Sequence, residues 1–244
     1  MIRIDATGLT HRKLNEKLRQ EISLGKKEIV LKNVLGQRFI AAGLRDKVQI
    51  RIEGIAGNDL GAFMDGPEIF LYGNGEDGIG NTMSGGKITI YGDAGDILGH
   101  SIRGGKIFVK GNIGWRGGIH AKSYQDKFPV IIIGGKAGDY LGEYLAGGLI
   151  IVLGLSNNQR PLTGKFLGTG MHGGTIYLRN PESPKFLGKE VTFTPFTEND
   201  QNFIQPYLEE FAWDFGLSLS EIFKVTFQKF VSRTSRPYGR FYAY

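Results

Sequence analysis

A short apolar run that ends in glycine or asparagine four residues on returns eight times along this chain, and no other feature narrows its fold as much. The runs are Ile29-Val-Leu-Lys-Asn33, Ile50-Arg-Ile-Glu-Gly54, Ile69-Phe-Leu-Tyr-Gly73, Ile88-Thr-Ile-Tyr-Gly92, Ile107-Phe-Val-Lys-Gly111, Val130-Ile-Ile-Ile-Gly134, Ile150-Ile-Val-Leu-Gly154 and Ile176-Tyr-Leu-Arg-Asn180. Their starts lie 21, 19, 19, 19, 23, 20 and 26 residues apart, and the longer intervals hold polar insertions such as 122–127 and 156–160. A fixed period with variable insertions describes stacked copies of one unit, the insertions being loops on a constant frame.

Further positions keep the same phase. Glycine supplies 38 of the 244 residues, about twice its ordinary share. Corner glycines follow the strands at Gly54, Gly73, Gly92, Gly111, Gly134 and Gly154, and a second set stands seven residues on at Gly61, Gly80, Gly99 and Gly118, with Gly142 one later. Leu60, Ile79, Leu98 and Leu141 precede the second glycine, while Met64, Met83, Ile102, Leu145 and Met171 precede the next strand. With the first and third strand residues these make four apolar ladders. The pattern predicts an all-β, single-stranded parallel β-helix of about eight coils of ~19 residues, which at ~4.8 Å per coil is a rod roughly 38 Å long. Glycine suits corners that need positive φ and leave no room for a Cβ under the coil above.

Such a rod exposes unpaired backbone at both ends unless something covers it. Residues 1–28 read as an N-terminal strand and a capping helix, with Thr10 as N-cap and Leu14, Leu18 and Ile22 on one face. Residues 29–180 are the β-helix repeats. In 181–244, a second helix carries Ile204, Tyr207, Leu208, Phe211 and Phe215 on one side and ends at Gly216; residues 224–231 alternate like an edge strand, and 232–244 form an aperiodic arm.

Composition removes several classes of function. The chain has no cysteine, hence no disulfide, thiolate metal site or cysteine nucleophile. A formal charge of +6 with interspersed signs gives no support to a nucleic-acid partner. No run of 18 apolar residues occurs, so neither export nor membrane spanning is indicated and a cytoplasmic address is expected.

The local motifs also read as structure. Gly73-Asn-Gly75-Glu-Asp-Gly78 matches a dinucleotide fingerprint but leads to another strand instead of opening a helix. Gly86-Lys87 and Gly164-Lys165 lack the hydroxyl residue and spacing of a phosphate loop. Asp59, Asp77, Asp96 and Asp139 read as turn-stabilising acids, without the nine-residue recurrence of a calcium roll. His100, His120 and His172 fall in different phases, so a β-helix enzyme with a histidine base stays an alternative without a ladder behind it.

The second residue of each strand points outward by alternation, and Phe70, Phe108, Ile131, Ile151 and Tyr177 make that face apolar. Either the chain's own C-terminal helix or a partner covers it. The arm interleaves Arg233, Arg236 and Arg240 with Tyr238, Phe241, Tyr242 and Tyr244, an interface composition. Packing of this arm on Phe70 and Phe108, or on a partner, is the expectation.

The segments 57–66, 77–87, 94–99, 138–148 and 168–174, with Gly-Asp-Ile-Leu-Gly99 and Gly-Asp-Tyr-Leu-Gly142 among them, resemble the C-terminal β-helix domain of the glutamate synthase large (alpha) subunit. The resemblance implies a right-handed parallel β-helix, here as a stand-alone subunit of a split large subunit, without catalytic, cofactor-binding or metal-binding residues of its own. It implies that FMN and an iron–sulfur cluster sit in a partner synthase piece, and that a glutamine amidotransferase piece is a second partner. The complex would convert glutamine, 2-oxoglutarate and a reductant into two glutamates. An accessory role like that of the β-helix subunit of formylmethanofuran dehydrogenase, which has similar repeats, remains a second reading. Self-association of the isolated chain is left open.

Overall fold

A computed structural model describes residues 1–155, 161–179 and 186–234. The order is β1 (Ile2–Asp5), α1 (His11–Ser23), β2 (Glu28–Gln37), β3 (Gln49–Ala56), β4 (Asp65–Tyr72), β5 (Gly85–Ile90), β6 (Gly105–Val109), β7 (Pro129–Ile133), β8 (Ala146–Val152), β9 (Gly173–Leu178), β10 (Val191–Thr194), α2 (Glu198–Phe215), α3 (Leu219–Phe223) and β11 (Gln228–Ser232). Strands β1 to β9 pair in sequence order, each parallel to the last. Each connection therefore returns the chain one layer higher, and the fold is a parallel β-helix.

Register makes the core. Ile29, Ile50, Ile69, Ile88, Ile107, Ile131, Ile150 and Ile176 pair in succession, and all are buried. A second wall is closed by Ala56, Gly75, Ala94, Ile113, Ala137 and Thr163, again in succession. Both walls are complete over about six turns, somewhat fewer than the eight expected from the repeats, because the first and last repeats run into the flanking segments.

The pairing corrects one unit. Ile107 pairs with Ile131, not Val130, and Phe108 with Ile132, so Ile131 faces inward and Ile132 outward. The corner shifts with it: Gly135 donates to the Gly111 carbonyl and receives from Gly154, while Gly134 sits one step before the stack. From Gly135 to Gly142 the interval is the usual seven residues, which removes the irregularity of that coil.

The turn between the walls has its own rule. Left-handed backbone occurs at three alternating positions per coil, such as Ile97, Gly99 and Ser101, then Arg116, Gly118 and His120, then Tyr140, Gly142 and Tyr144. The outer members carry side chains that are exposed or half-buried. The middle member points inward, where the δ-methyl of an isoleucine leaves no space: a Cβ on Gly99 would stand 2.6 Å from Ile131 Cδ1, and one on Gly118 2.5 Å from Ile150 Cδ1. The first-corner glycines are mixed: Gly54, Gly73 and Gly154 have positive φ, whereas others are held by space alone. Gly92 lacks positive φ, and a Cβ there would meet Asn74 Oδ1 at 2.1 Å, so close approach alone excludes a side chain.

The acids near these corners act between coils and not within their own turns. Asp77 Oδ1 accepts from the Asp96 amide at 2.8 Å, and Asp96 Oδ1 from the Trp115 amide at 2.7 Å. A parallel stack runs from Asn74 to Asp93 to Asn112 to the Lys136 amide. Each bond ties one layer to the next where the sheet itself is interrupted.

Both ends are covered by the chain. The Thr10 hydroxyl accepts from the Lys13 amide to start α1, and Leu14, Leu18 and Ile22 are buried against the first layer. At the far end β11 pairs antiparallel with β9, and β10 pairs antiparallel with β11 outside it. The strand expected at the edge is thus interior, because Val191–Thr194, which sequence reading left unassigned, takes the edge instead. Among the described residues no helix is long and apolar enough to cross a membrane.

Candidate functional site

The outward face of β5 to β9 carries Thr89, Phe108, Ile132, Ile151 and Tyr177 in one column. Helix α2 lies on it. Thr197 and Asp200 form a reciprocal cap at its start, and Gly216 in left-handed conformation ends it. Ile204, Leu208, Phe211, Ala212 and Phe215 are buried with Phe108, Val130, Ile132, Leu149 and Ile151 in a second core separate from the rod's interior. Phe108 meets Phe211 edge-on at 5.7 Å and is fully buried, so α2 covers this expected interface residue.

Three charged anchors hold the helix down. At its start, Asp200 accepts from the Tyr177 hydroxyl at 2.7 Å and pairs with Lys229 at 2.6 Å. At its end, Asp214 pairs with Lys87 at 2.6 Å and accepts from Thr89, and its carbonyl takes the Tyr91 hydroxyl at 3.0 Å. Between them Glu210 bridges Lys87 and Lys106. Burial opposes ionisation of Asp200, but bonds from Lys229, Tyr177 and Thr197 outweigh it and hold the carboxyl well below the usual carboxylate range. Glu210 is likewise depressed: burial works against its charge, and Lys106 and Lys87 overcome it. Burial, then Tyr72, then Asp214 push the Tyr91 hydroxyl up to about 12.

Sequence reading found the apolar face of α2 but missed these anchors. The signal was present: Lys87 and Lys106 each follow a glycine pair 19 residues apart, and Glu210 and Asp214 are four apart on a helix. Phe70 is half-buried. Arg233 is exposed, with its amide on the Glu190 carbonyl and Nε on the Val191 carbonyl. Arg236, Tyr238, Arg240, Phe241, Tyr242 and Tyr244 lie outside the described residues.

The histidines come together without forming a catalytic pair. His100 and His120 approach edge-on at 6.0 Å, His120 stacks on Tyr144 at 5.1 Å, and His100 Nδ1 meets Asn81 Oδ1 at 3.1 Å. His172 Nδ1 faces the Gly170 carbonyl. Among the described residues no hydroxyl or carboxylate is hydrogen-bonded to a histidine ring nitrogen, and no group of three or more His, Cys, Asp or Glu is placed to hold a metal ion.

These features define a class: a parallel β-helix with one outer face closed by its own C-terminal helix. The family model described as GXGXG motif matches residues 28–236, and the chain belongs to that family, which is the β-helix domain family of glutamate synthase. The chain is 47% identical over 248 residues to the uncharacterized protein MJ1350 of Methanocaldococcus jannaschii, covering 98% of this chain and 95% of that one. Its fold is similar to a chain in the crystal structure of the formyltransferase/hydrolase complex (FhcABCD) from Methylorubrum extorquens in complex with methylofuran. That likeness has a TM-score of 0.59 and 21% identity, covering 90% of this chain and 86% of that chain.

Proposed function

We propose that this protein is a non-catalytic assembly subunit of a glutamate synthase, holding a glutamine amidotransferase piece and a synthase piece in fixed relation while they make two glutamates from glutamine, 2-oxoglutarate and a reductant. The family match over residues 28–236 carries the reading. Two walls of paired strands and side-chain ladders between coils make a stiff block, and helix α2 covers the apolar part of its outer face. In this reading FMN and an iron–sulfur cluster belong to the synthase piece, since a chain without cysteine offers no thiolates to a cluster.

Co-expression with both pieces tests it. A complex that contains all three chains, absorbs as a flavoprotein and forms glutamate only when complete is the expected result. A chain that joins neither piece overturns the reading. A second reading, an accessory subunit of a formyltransferase/hydrolase-type complex, draws on the fold-level likeness; co-purification with formyltransferase chains in place of synthase chains would favour it.

A further inference from the structure

The net charge of this chain is gathered at one end. Residues 11–27, which are α1 and the chain leaving it, and residues 38–47, in the turn from β2 to β3, together hold nine Lys and Arg against three Asp and Glu. That balance is +6, the formal charge of the whole chain, so everything outside these two segments is neutral in sum. All nine cations are exposed. Lys13, Lys26, Arg38, Arg45 and Lys47 have no carboxylate partner among the described residues, whereas the acid Glu16 is already paired with Arg12 at 2.8 Å.

A groove of about 380 Å³ opens between the helix and the turn. Arg12, Glu16 and Arg19 line it from α1, and Phe39 and Ala42 line it from the turn. Its two sides are tied together: the Asn15 side chain donates to the Arg38 carbonyl at 3.0 Å, and Arg19 donates to the Ala42 carbonyl. Phe39 stands edge-on to His11 at 6.4 Å and is still 46% exposed.

We propose that this end of the β-helix docks an acidic segment of a partner subunit, with an apolar side chain seated on Phe39 and carboxylates on the free cations around it. The proposal deepens the assembly reading above and rests on it. An exposed aromatic ring among arginines is an interface composition, and a threefold excess of bases over acids draws an acidic partner toward it and orients it on arrival. A second copy would bring an equally basic end against this one, and residues 233–244 of the chain itself carry three arginines and no acid. A nucleic acid presents phosphate at every step and would lay some of it against Glu16 on the groove wall. A peptide spaces its carboxylates and can set an apolar side chain there instead.

The test uses the full chain with the synthase and amidotransferase pieces, comparing wild type with Arg38→Glu/Arg45→Glu, Arg38→Gln/Arg45→Gln and Phe39→Asn, the last chosen because asparagine tolerates the left-handed backbone at this position, where φ is 59°. The glutamate pair should weaken assembly by about 10-fold or more and the glutamine pair by less, and added salt should narrow the difference between them. Phe39→Asn should weaken assembly without that salt dependence, and the melting temperature of the isolated chain should stay unchanged in all three. Unimpaired assembly of all three variants overturns the docking surface while leaving the assembly reading intact. So does binding of an RNA oligonucleotide or of phosphatidylserine vesicles that the glutamate pair abolishes while assembly is unaffected. Wild type that joins neither piece overturns both.

Discussion

Ile131 seats its δ-methyl carbon over the α-carbon of Gly99, 2.6 Å from where a β-carbon would stand, and Ile150 does the same over Gly118 at 2.5 Å. The same relation joins Gly61 to Ile88, Gly80 to Ile107 and Gly142 to Ile176. It converts a turn position into a core position, and it explains why the repeat spaces a strand isoleucine and a turn glycine so strictly.

Gly99→Val and Gly118→Val should each be destabilising by about 1–3 kcal/mol from backbone strain alone, with steric displacement of the isoleucine added. At about 2–4 °C per kcal/mol for a chain of this size, the loss is visible in a melting curve. His120→Gly is the contrast: its φ is also positive, at 55°, but its side chain points outward, so the change should move the melting temperature little. Valine variants that melt with wild type would refute the inward assignment.

The anchors of α2 predict acid lability. Because the folded chain holds Asp200 and Glu210 below their ordinary range, the unfolded chain takes up protons first as pH falls. The stabilisation is complete above about pH 5 and is lost as pH drops through the ordinary carboxylate values near 4 toward the depressed ones. Asp200→Asn should lower stability at neutral pH by about 2 kcal/mol, the scale of a charged hydrogen bond, and flatten the acid limb of a denaturation series. An unchanged acid limb in that variant would place the lability elsewhere.

The packing of α2 is tested by contrast between two of its aromatic residues. Phe211 is fully buried against Phe108, whereas Trp213 is 87% exposed. Phe211→Ala should be destabilising by about 3–5 kcal/mol, while Trp213→Ala should stay within about 0.5 kcal/mol. Similar effects from the two would mean that α2 does not lie on the sheet as described.

The purified chain alone should be colourless and should not hydrolyse glutamine, since in the assembly reading the flavin, the cluster and the nucleophile belong to other pieces. Flavin absorbance at one equivalent per chain would count against that reading.

Much of this was legible in one dimension, because a coil repeats its environment each time it closes. Outside one coil, the inward isoleucines, the turn glycines and the apolar faces of α1 and α2 recur at fixed intervals, so periodicity alone assigned them. Val130-Ile-Ile-Ile133 was misaligned by one residue because four consecutive apolar side chains carry no alternation. Only the pairing of Ile107 with Ile131, and of Gly135 with Gly111, decides which faces inward.

Sequence by itself thus determined the repeat, most of the core columns and the N-terminal capping helix, all of which depend on neighbours within one or two coils. Tertiary structure alone decided that β11 inserts between β9 and β10, that Phe108 lies under Phe211, and that Lys87 joins Glu210 and Asp214. These partners are brought together across more than a hundred residues in the last two cases, and no local preference encodes such a meeting. It arises because the apolar face of α2 and the outward column of the sheet can leave water only by covering each other, and the charged residues at their rims then find the one register that pairs them.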